Sequence, residues 1–548
     1  MAQFSDVDLM VEDFIQRERI PGLALVVLRG DEAPLARGYG VASVEDGGIP
    51  VTPQTLFRIG SVSKPLAGTA IMRLVERGQL DLDTPISHYL GWLAFDEPGA
   101  AERITLRMLL SHTAGLPKDT SAGARASDGS DGSDGSDGLE RHVREQLPRS
   151  RFVAPPGALF SYSNIGVNLA GYLAQVVSGL PFPLLMQTAL FDPLAMRRTT
   201  FDPLVAMTYP LALPHTLKDD GTLRVIHHFP RNSAYDPAGG AYSCADDLAH
   251  FVRMHLAEGT RESQPLLSSE TLALMRRPDT PTYNSSPEDG YGLTFETGVY
   301  NEHHWVGHHG VMGSFGCQLL MIPEQRIACI VLLNRQPRLA TPIAFEVIER
   351  LLDHAATHPA PDLTAPDSAA WARYTGVYLG DRTGLARMTL EDDQLVLAFQ
   401  QQRVTLQAYC PGVFTGSLVG GEPPLTVAFR PLADDPAHFL IINREVHRRI
   451  ELDSPVAFDS HTLQRYTGRY CNGEGYEAET ITIRLEDGSL VLTLLDNNAN
   501  TIEGALTPLD ATRFYWFRGL IEFQMEPDGT ASALLAMGVY LFARVENS

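Results

Sequence analysis

The sequence predicts an α+β catalytic region, with helices packed on an antiparallel sheet plus an all-helical subdomain, followed by two small antiparallel β-barrels. The chain has 548 residues, which is too long for a single hydrophobic core. Near the N-terminus, an amphipathic helical pattern precedes two strand-like runs in succession, an order that does not fit a doubly wound parallel sheet. The last third of the chain contains an internal repeat of short strand-like segments, which is typical of small barrels or sandwiches.

Residues 1–358 are expected to form the catalytic domain. Ser5 is a suitable N-cap for the first helix, and the apolar residues that follow it have helical spacing: Val7, Met10, Val11, Phe14 and Ile15. Strands are predicted at 23–28 and 35–41, and a last helix at 343–354. Four Ser-Asp-Gly triplets at 127–138 cannot contribute to a packed core, so we expect a flexible acidic loop there.

A linker rich in Pro, Ala and Asp at 359–368 separates this domain from the repeat. Residues 373–378 read RYTGVY and residues 465–470 read RYTGRY, while LEDDQLVL at 390–397 recurs as LEDGSLVL at 485–492. The segments LEDDQLVL and LEDGSLVL are each predicted to form a hairpin, with apolar strands on both sides of an acidic turn. We therefore predict one barrel at 369–456 and another at 457–548, in which the repeated residues have structural roles.

Composition excludes several classes of function. A net charge of −23 disfavours nucleic acid or an anionic membrane as a partner. No apolar run approaches the roughly 18 residues needed to cross a bilayer, and the acidic start of the chain does not resemble a signal peptide. The five cysteines are scattered, without a CxxC pair, so we expect buried thiols in a reducing cytoplasm rather than disulfides or a zinc site.

Ser61 and Lys64 form the first candidate catalytic pair. They lie three residues apart at the start of a predicted helix, so both side chains face the same side, about one turn apart. A serine hydroxyl needs a neighbouring base to become a nucleophile, and Lys64 can act as one only when it is neutral. A serine and a lysine at this spacing also occur by chance. Only three of the 43 basic residues are lysines, so a chance match is less frequent in this chain and the catalytic interpretation of the pair is stronger.

Two further motifs carry polar groups suited to the same chemistry. About 100 residues later, Tyr162 could relay protons beside a lysine, and Asn164 could orient both the lysine and a substrate. His308 and Gly310 lie between two predicted strands, where the glycine permits close approach of the backbone to a ligand at a strand edge. Adjacent histidines, here at 308 and 309, also occur in metal sites, but neighbours on a strand point to opposite faces. We therefore predict no metal, and no cofactor.

Taken in this order, Ser61-x-x-Lys64, Tyr162-x-Asn164 and His308-x-Gly310 resemble the motifs of the penicillin-recognising serine hydrolases, of the class C β-lactamase-like type. The phrases LFRIG at 56–60, LLSHTAGLP at 109–117 and GGAYS at 239–243 match as well. The resemblance covers residues 5–355 and implies a β-lactamase-like fold. The two barrels look like the lipocalin-like domains of the D-aminopeptidases in this family.

The resemblance implies an acyl-enzyme on Ser61, with proton transfer shared between Lys64 and Tyr162. It places the oxyanion between the backbone N–H groups of Ser61 and Val311, the residue after Gly310. His308 stands where β-lactamases and DD-peptidases have a lysine, and we expect it to be partly charged near neutral pH. This departure favours esters or amino-terminal amides over penicillins.

Three functions stay open on the sequence alone. The first is a hydrolase of carboxylic esters or short amides, an esterase or D-aminopeptidase-like enzyme acting on a small molecule. The second is a DD-peptidase or β-lactamase, and the third is a non-catalytic binding protein with the same fold. We allow for a homo-oligomer and expect no nucleic-acid or membrane partner. A loop of the last barrel is predicted to reach the active-site mouth and to limit substrate length. The Gly- and acid-rich segment at 472–477 motivates this prediction, but the sequence does not single out which barrel loop is involved.

Overall fold

A computed structural model gives the arrangement of most of the chain. The described residues are 2–45, 48–119, 137–218, 220–227, 232–257, 260–261, 264–284, 286–352, 368–399, 402–417, 425–432, 435–451, 458–472, 479–495, 501–517, 519–537 and 540–545. They form two units. The first contains Met1–Leu116, Ala126–Pro281 and Glu288–Pro359, and the second contains Ala360–Ser548 with two short earlier segments.

An eight-stranded antiparallel sheet lies at the centre of the first unit. In spatial order its strands are Leu35–Gly40, Gly22–Arg29, Ile327–Leu333, Phe315–Ile322, His303–Met312, Glu296–Tyr300, Gly290–Tyr291 and Thr280–Pro281. Every residue of Phe315–Ile322 and Ile327–Leu333 is buried, because both faces of the sheet are covered. The strands predicted at 23–28 and 35–41 are confirmed to within one or two residues.

Two helices cover one face of this sheet. They are Ala2–Glu18 and Ala340–Leu351, and their apolar sides share one core with the sheet. The predicted helix at 343–354 is present but begins and ends three residues earlier. The prediction that Ser5 caps the first helix is wrong, because the chain is already helical from Ala2 and Ser5 therefore lies in its first turn.

The opposite face carries the larger core and the helical subdomain. Its α-helices are Ser63–Glu76, Ile86–Tyr89, Ala100–Arg103, Leu106–Leu110, Gly138–Arg141, Asn164–Ser178, Phe182–Met186, Asp192–Leu194, Pro203–Ala206, Asp236–Gly239, Ala245–Leu256 and Ser269–Arg276. Short strand pairs join Phe57–Arg58 to Tyr242–Ser243, His215–Leu217 to Leu223–Val225, and Thr260–Arg261 to Gln264–Pro265. The predicted fold class is thus confirmed.

The second unit contains two antiparallel barrels, each with its own apolar core. The first is a nine-stranded sheet ordered Gln402–Thr405, Gln394–Phe399, Gly384–Glu391, Gly376–Gly380, Glu445–Ile450, Asp435–Ile442, Leu425–Leu432, Val413–Gly416 and Gln407–Cys410. Its two edge strands are separated in the chain only by Leu406, so the sheet curls nearly closed. The second is a closed barrel of Gly468–Asn472, Glu479–Glu486, Ser489–Leu495, Thr501–Pro508, Arg513–Trp516, Gly519–Met525, Ala531–Ala536 and Tyr540–Val545, preceded by the helix Ser460–Leu463.

The internal repeat has the same structural role in both barrels. The hydroxyl of Tyr378 donates to the carbonyl oxygen of Tyr374 at 2.8 Å, and Tyr470 donates to that of Tyr466 at 2.7 Å. The acidic turns at 392–393 and 487–488 all have positive φ, which is typical of the tight turns that match the twist of a hairpin. These contacts explain why both motifs recur.

Several predictions fall wholly or mainly outside the described residues. These are the Ser-Asp-Gly loop at 127–138, the linker at 359–368 and the barrel segment at 472–477, of which only 137–138, 368 and 472 are described. The five cysteines are free, as expected, but Cys410 is exposed, so the prediction that all five are buried is wrong. Among the described residues, no single helix is long and apolar enough to span a membrane. Two consecutive helical segments, Asn164–Ser178 and Phe182–Leu194, are long and apolar enough only when they are taken as one, and the chain bends by 79° between them.

Candidate active site

Ser61 lies on a tight 3₁₀ turn, Gly60–Val62, that leads directly into the helix Ser63–Glu76. This turn places its side chain near the helix N-terminus, where unpaired backbone N–H groups create a positive potential. Gly60 has a φ of +51°, and a Cβ atom on it would lie 2.7 Å from the backbone N of Val311. Only glycine therefore allows the turn to approach the strand His303–Met312 this closely.

Lys64 is fully buried and its side-chain amine contacts the nucleophile. Its Nζ atom lies 3.0 Å from Oγ of Ser61, 2.7 Å from Oδ1 of Asn164 and 2.7 Å from the carbonyl oxygen of Ala238. All three oxygens can accept a hydrogen bond from the charged or the neutral amine. The two contacts with Asn164 and Ala238 leave a third position on Nζ, a hydrogen or a lone pair, facing the serine. Ala238 was not predicted, although the GGAYS phrase begins at the next residue.

Tyr162 also contacts Ser61. Its hydroxyl donates to Oγ of Ser61 at 2.9 Å, and its ring lies 4.8 Å from Nζ of Lys64. Asn164 begins the helix Asn164–Ser178, which is capped by the Ser163 side chain accepting from the N–H of Gly166. The structure therefore brings Ser61, Lys64, Tyr162 and Asn164 together, across about 100 residues of sequence.

Gly310 and Val311 lie against the turn that carries Ser61. A Cβ atom on Gly310 would lie 2.0 Å from the carbonyl oxygen of Ile59 and 3.2 Å from the backbone N of Ser61. The glycine was predicted to let the backbone approach a ligand, whereas in the structure it lets the strand approach the backbone of the Ser61 turn. Val311 follows at the exposed end of the same strand, with 45% of its surface exposed.

His308 differs from its predicted description. Its side chain is fully buried, and burial lowers the pKa of the imidazole from 6.5 to about 3, because the charged form loses its hydration. Its Nε2 atom lies 2.9 Å from the hydroxyl of Tyr291, and its Nδ1 lies 2.6 Å from the carbonyl oxygen of His309. The expectation that His308 is partly charged near neutral pH is therefore wrong: it is a neutral group with both nitrogens hydrogen-bonded inside the protein.

His112 is a buried site residue that the sequence analysis did not single out, although it lies in the quoted LLSHTAGLP phrase. Its Nδ1 accepts from the backbone N–H of Ser163 at 3.1 Å, and its Nε2 lies 3.1 Å from the hydroxyl of Tyr291. Its ring stacks at a tilt on that of Tyr162, with 4.4 Å between centroids. His112 has a φ of +57°, a strained conformation for a non-glycine residue that is often found at functional sites.

Glu296 is a further missed residue, on the strand next to His309. Its carboxylate accepts from both the backbone N–H and the ring of His309, the latter at 2.9 Å. The rings of His308 and His309 stack at 5.6 Å rather than pointing to opposite faces, because Glu296 holds the second ring. Glu296 and the two histidines offer ligand atoms within 4.8 Å of one another, but a cation would have to break a hydrogen bond of His308, so this arrangement does not fit a metal site.

The chain is similar in sequence and in fold to several known proteins. A family model described as Beta-lactamase matches residues 7–381. Penicillin-binding protein 4 of Amycolatopsis lactamdurans is 28% identical over 363 residues, which cover 63% of this chain and 89% of that protein. A structure described as SurE with D-Leu has a TM-score of 0.62 and 26% identity, covering 82% of this chain and 100% of the other. A class C beta lactamase from Rhodobacter sphaeroides has a TM-score of 0.51 and 25% identity, covering 63% and 99%.

Proposed function

Because the chain belongs to the Beta-lactamase family of serine hydrolases, we propose that it hydrolyses carboxylic esters or short amides through an acyl-enzyme on Ser61. The observation that carries this proposal is the position of Oγ of Ser61, with Nζ of Lys64 at 3.0 Å and the hydroxyl of Tyr162 at 2.9 Å. Two groups able to exchange a proton thus lie within hydrogen-bond distance of one serine, as nucleophilic catalysis requires.

The proposed reaction has two steps. Oγ of Ser61 attacks the substrate carbonyl carbon, its proton moves to Lys64 or Tyr162, and the same pair returns a proton to the departing alcohol or amine. Water then attacks the acyl-enzyme, loses its proton to the pair, and releases the acid with Ser61 restored. The backbone N–H groups of Ser61 and Val311 are proposed to stabilise the oxyanion in both steps, a contribution of about 10²–10³ in rate per donor.

The neutral state of His308 supports uncharged acyl groups over substrates recognised through a carboxylate. A lysine at this position would offer a permanent cation, whereas the buried His308 ring has both nitrogens engaged within the protein. The SurE structure described with D-Leu further supports D-aminoacyl esters and amides as substrates to test first.

A DD-peptidase or β-lactamase activity is the second candidate, favoured by the likeness to Penicillin-binding protein 4 and to a class C beta lactamase.

Self-association of the chain and a cytoplasmic location are two further proposals. Light scattering of the purified chain and fractionation of the native cells would test them.

One substrate panel separates these candidates. We would measure hydrolysis of p-nitrophenyl esters, D- and L-aminoacyl p-nitroanilides and nitrocefin by the wild type and Ser61→Ala. Ser269→Ala, an exposed serine on the helix Ser269–Arg276, is the matched control. We expect turnover of esters or D-aminoacyl anilides that falls by at least about 10³ in Ser61→Ala and is unchanged in the control.

Three results would overturn parts of the proposal. Undiminished activity in Ser61→Ala would exclude Ser61 as the nucleophile. Turnover of nitrocefin alone would favour the β-lactamase alternative. A wild-type protein that neither hydrolyses any substrate nor reacts at Ser61 with a fluorophosphonate probe would favour the non-catalytic binding protein.

A further inference from the structure

We propose that His112 and Tyr291 are positioning residues that hold Tyr162 in place through a chain of hydrogen bonds with one fixed direction. The inference rests on the proposed function, since it concerns how the group beside Ser61 is kept in position. Neither residue contacts Ser61 in the described hydrogen bonds. His112 acts on Tyr162 directly, and Tyr291 acts through His112 and His308.

His112 holds the segment that carries Tyr162 at three points. Its carbonyl oxygen accepts from the backbone N–H of Ser161 at 2.8 Å, and its Nδ1 accepts from that of Ser163 at 3.1 Å. Between these two bonds its ring lies 4.4 Å from the ring of Tyr162. The residues before and after Tyr162 are thus fixed to the same histidine that supports its ring.

The direction of the chain follows from its two ends. The backbone N–H of Ser163 can only donate, so Nδ1 of His112 carries no proton and Nε2 must carry it. His112 therefore donates to the hydroxyl of Tyr291 at 3.1 Å, and this hydroxyl donates its own proton to Nε2 of His308 at 2.9 Å. The remaining proton of His308 lies on Nδ1, which donates to the carbonyl oxygen of His309 at 2.6 Å.

Every link is therefore determined, because the chain begins at a group that only donates and ends at one that only accepts. Both histidines are neutral, in opposite tautomers. Tyr291 is the link between them: its hydroxyl joins the segment of Tyr162 to the strand that carries Gly310 and Val311. Without that hydroxyl, His112 and His308 each lose the hydrogen bond at Nε2 and keep only the one at Nδ1, so the ring that supports Tyr162 is held less firmly.

Tyr291→Phe tests the chain, because it removes one oxygen atom and leaves the ring. The matched control is Tyr300→Phe, which also removes a hydroxyl hydrogen-bonded at 3.0 Å, there to Glu349 on the helix Ala340–Leu351. Tautomers are read from ¹⁵N NMR of histidine-labelled full-length protein, assigned with His112→Asn and His308→Gln. The rate of fluorophosphonate labelling of Ser61, and kcat and KM for a p-nitrophenyl ester, report on catalysis.

In the wild type at pH 7 we expect a proton on Nε2 of His112 and on Nδ1 of His308. In Tyr291→Phe we expect both histidines to keep these tautomers, because the bonds to Ser163 and His309 remain, while the ¹⁵N signals of Nε2 in His112 and His308 shift as each loses its hydrogen bond to the hydroxyl. We expect kcat and the labelling rate to fall about tenfold with KM within twofold. Tyr300→Phe should change none of these. A purely structural role for Tyr291 would lower thermal stability and leave kcat and the labelling rate unchanged.

The inference is overturned if either histidine of the wild type has the opposite tautomer or is charged at pH 7, or if Tyr291→Phe retains the wild-type kcat. The tautomer measurement needs no substrate, so it separates this inference from the proposed function. An inert Ser61 together with the expected tautomers would overturn the proposed function, whereas wrong tautomers with a reactive Ser61 would overturn only the inference.

Discussion

Nζ of Lys64 lies 2.7 Å from Oδ1 of Asn164, the residue that begins a helix 100 positions later in the chain. This contact joins the helix behind the nucleophile to the segment that carries Tyr162. The amide oxygen of Asn164 is a neutral acceptor, so it orients the amine without adding a negative charge. The neutrality of this partner matters, because a fully charged ammonium group cannot accept the proton of Ser61.

Replacing Asn164 with aspartate should therefore slow the reaction at neutral pH. The carboxylate of Asn164→Asp has nearly the same shape but favours the charged form of Lys64. We expect kcat/KM for an ester to fall about 100-fold at pH 7 and to recover partly as the pH is raised, because the amine then loses its proton. A pH profile of ester hydrolysis from pH 6 to 10 measures both effects.

Asn443→Asp is the control for this change, since Asn443 is exposed and lies in a hairpin of the first barrel. It should leave the profile unchanged. A profile of Asn164→Asp that falls equally at every pH would contradict the role given to the amide and would indicate a general loss of structure.

Gly310 provides a steric prediction at the same site. In Gly310→Ala, the new Cβ atom would lie 2.0 Å from the carbonyl oxygen of Ile59, so the strand and the Ser61 turn must move apart. Because oxyanion donors act only at short range, we expect kcat to fall about 100-fold or more. Ester kinetics and a thermal melt of the folded variant measure this.

Gly91→Ala is the matched control, because its nearest neighbour would be a carbonyl oxygen at an ordinary 3.6 Å. It should keep wild-type kinetics. Wild-type kcat in Gly310→Ala would show that the close approach of the two backbones is not needed for catalysis.

Local patterns in the sequence predict the elements but not how buried groups are paired. Ser61 and Lys64 could be paired from helix geometry alone, because they are one turn apart. Tyr162 and His308 have side chains suited to this chemistry, but they were placed in one active site with Ser61 and Lys64 only by the family resemblance. Residues 101 or more positions apart leave no local periodicity that would predict a contact. The hydrogen bonds of His112 and Tyr291 depend on which strands become neighbours, and no spacing in the sequence indicates that.

The error on His308 has a similar cause. An average histidine is half-charged near pH 6.5, and the sequence offers no measure of how deeply a particular ring is buried. Burial keeps the His308 ring neutral. Its role therefore differs from the expected one: it is a neutral link between Tyr291 and His309 rather than a partly cationic group. The barrel motifs were predicted more fully, because a repeat shows directly which residues recur with the same local contacts.

The repeat supports a paired prediction in the two barrels. The hydroxyl of Tyr470 is buried and donates to the carbonyl oxygen of Tyr466 at 2.7 Å, as Tyr378 does to Tyr374 at 2.8 Å. Removing either hydroxyl leaves a buried carbonyl without that donor, which costs about 1–2 kcal/mol. Tyr470→Phe should speed hydrogen exchange in Gly468–Asn472, and Tyr378→Phe should do so in Gly376–Gly380.

Each variant is the control for the other, because the two strands lie in separate barrels with separate cores. Exchange measured by mass spectrometry should change about tenfold in the altered barrel and remain at the wild-type rate in the other. Equal changes in both barrels would contradict independent structural roles for the two copies of the motif.

Acid sensitivity follows from His255, a fully buried residue between the rings of Phe251 and Phe295. Burial lowers its pKa from 6.5 to about 3. Above pH 6.5 the ring is neutral in both folded and unfolded states. As the pH falls from 6.5 towards 3, only the unfolded chain takes up the proton, so the free energy of unfolding decreases by up to about 1.4 kcal/mol per pH unit.

His255→Leu removes this proton uptake, and neither ring nitrogen has a hydrogen-bond partner among the described residues, so little is lost at neutral pH. We expect the variant to match or exceed the wild-type Tm at pH 8 and to lose less of it at pH 5. The exposed His88→Leu, on the helix Ile86–Tyr89, should follow the wild type at both pH values. A variant whose Tm falls between pH 8 and pH 5 as steeply as that of the wild type would show that His255 is not the group responsible.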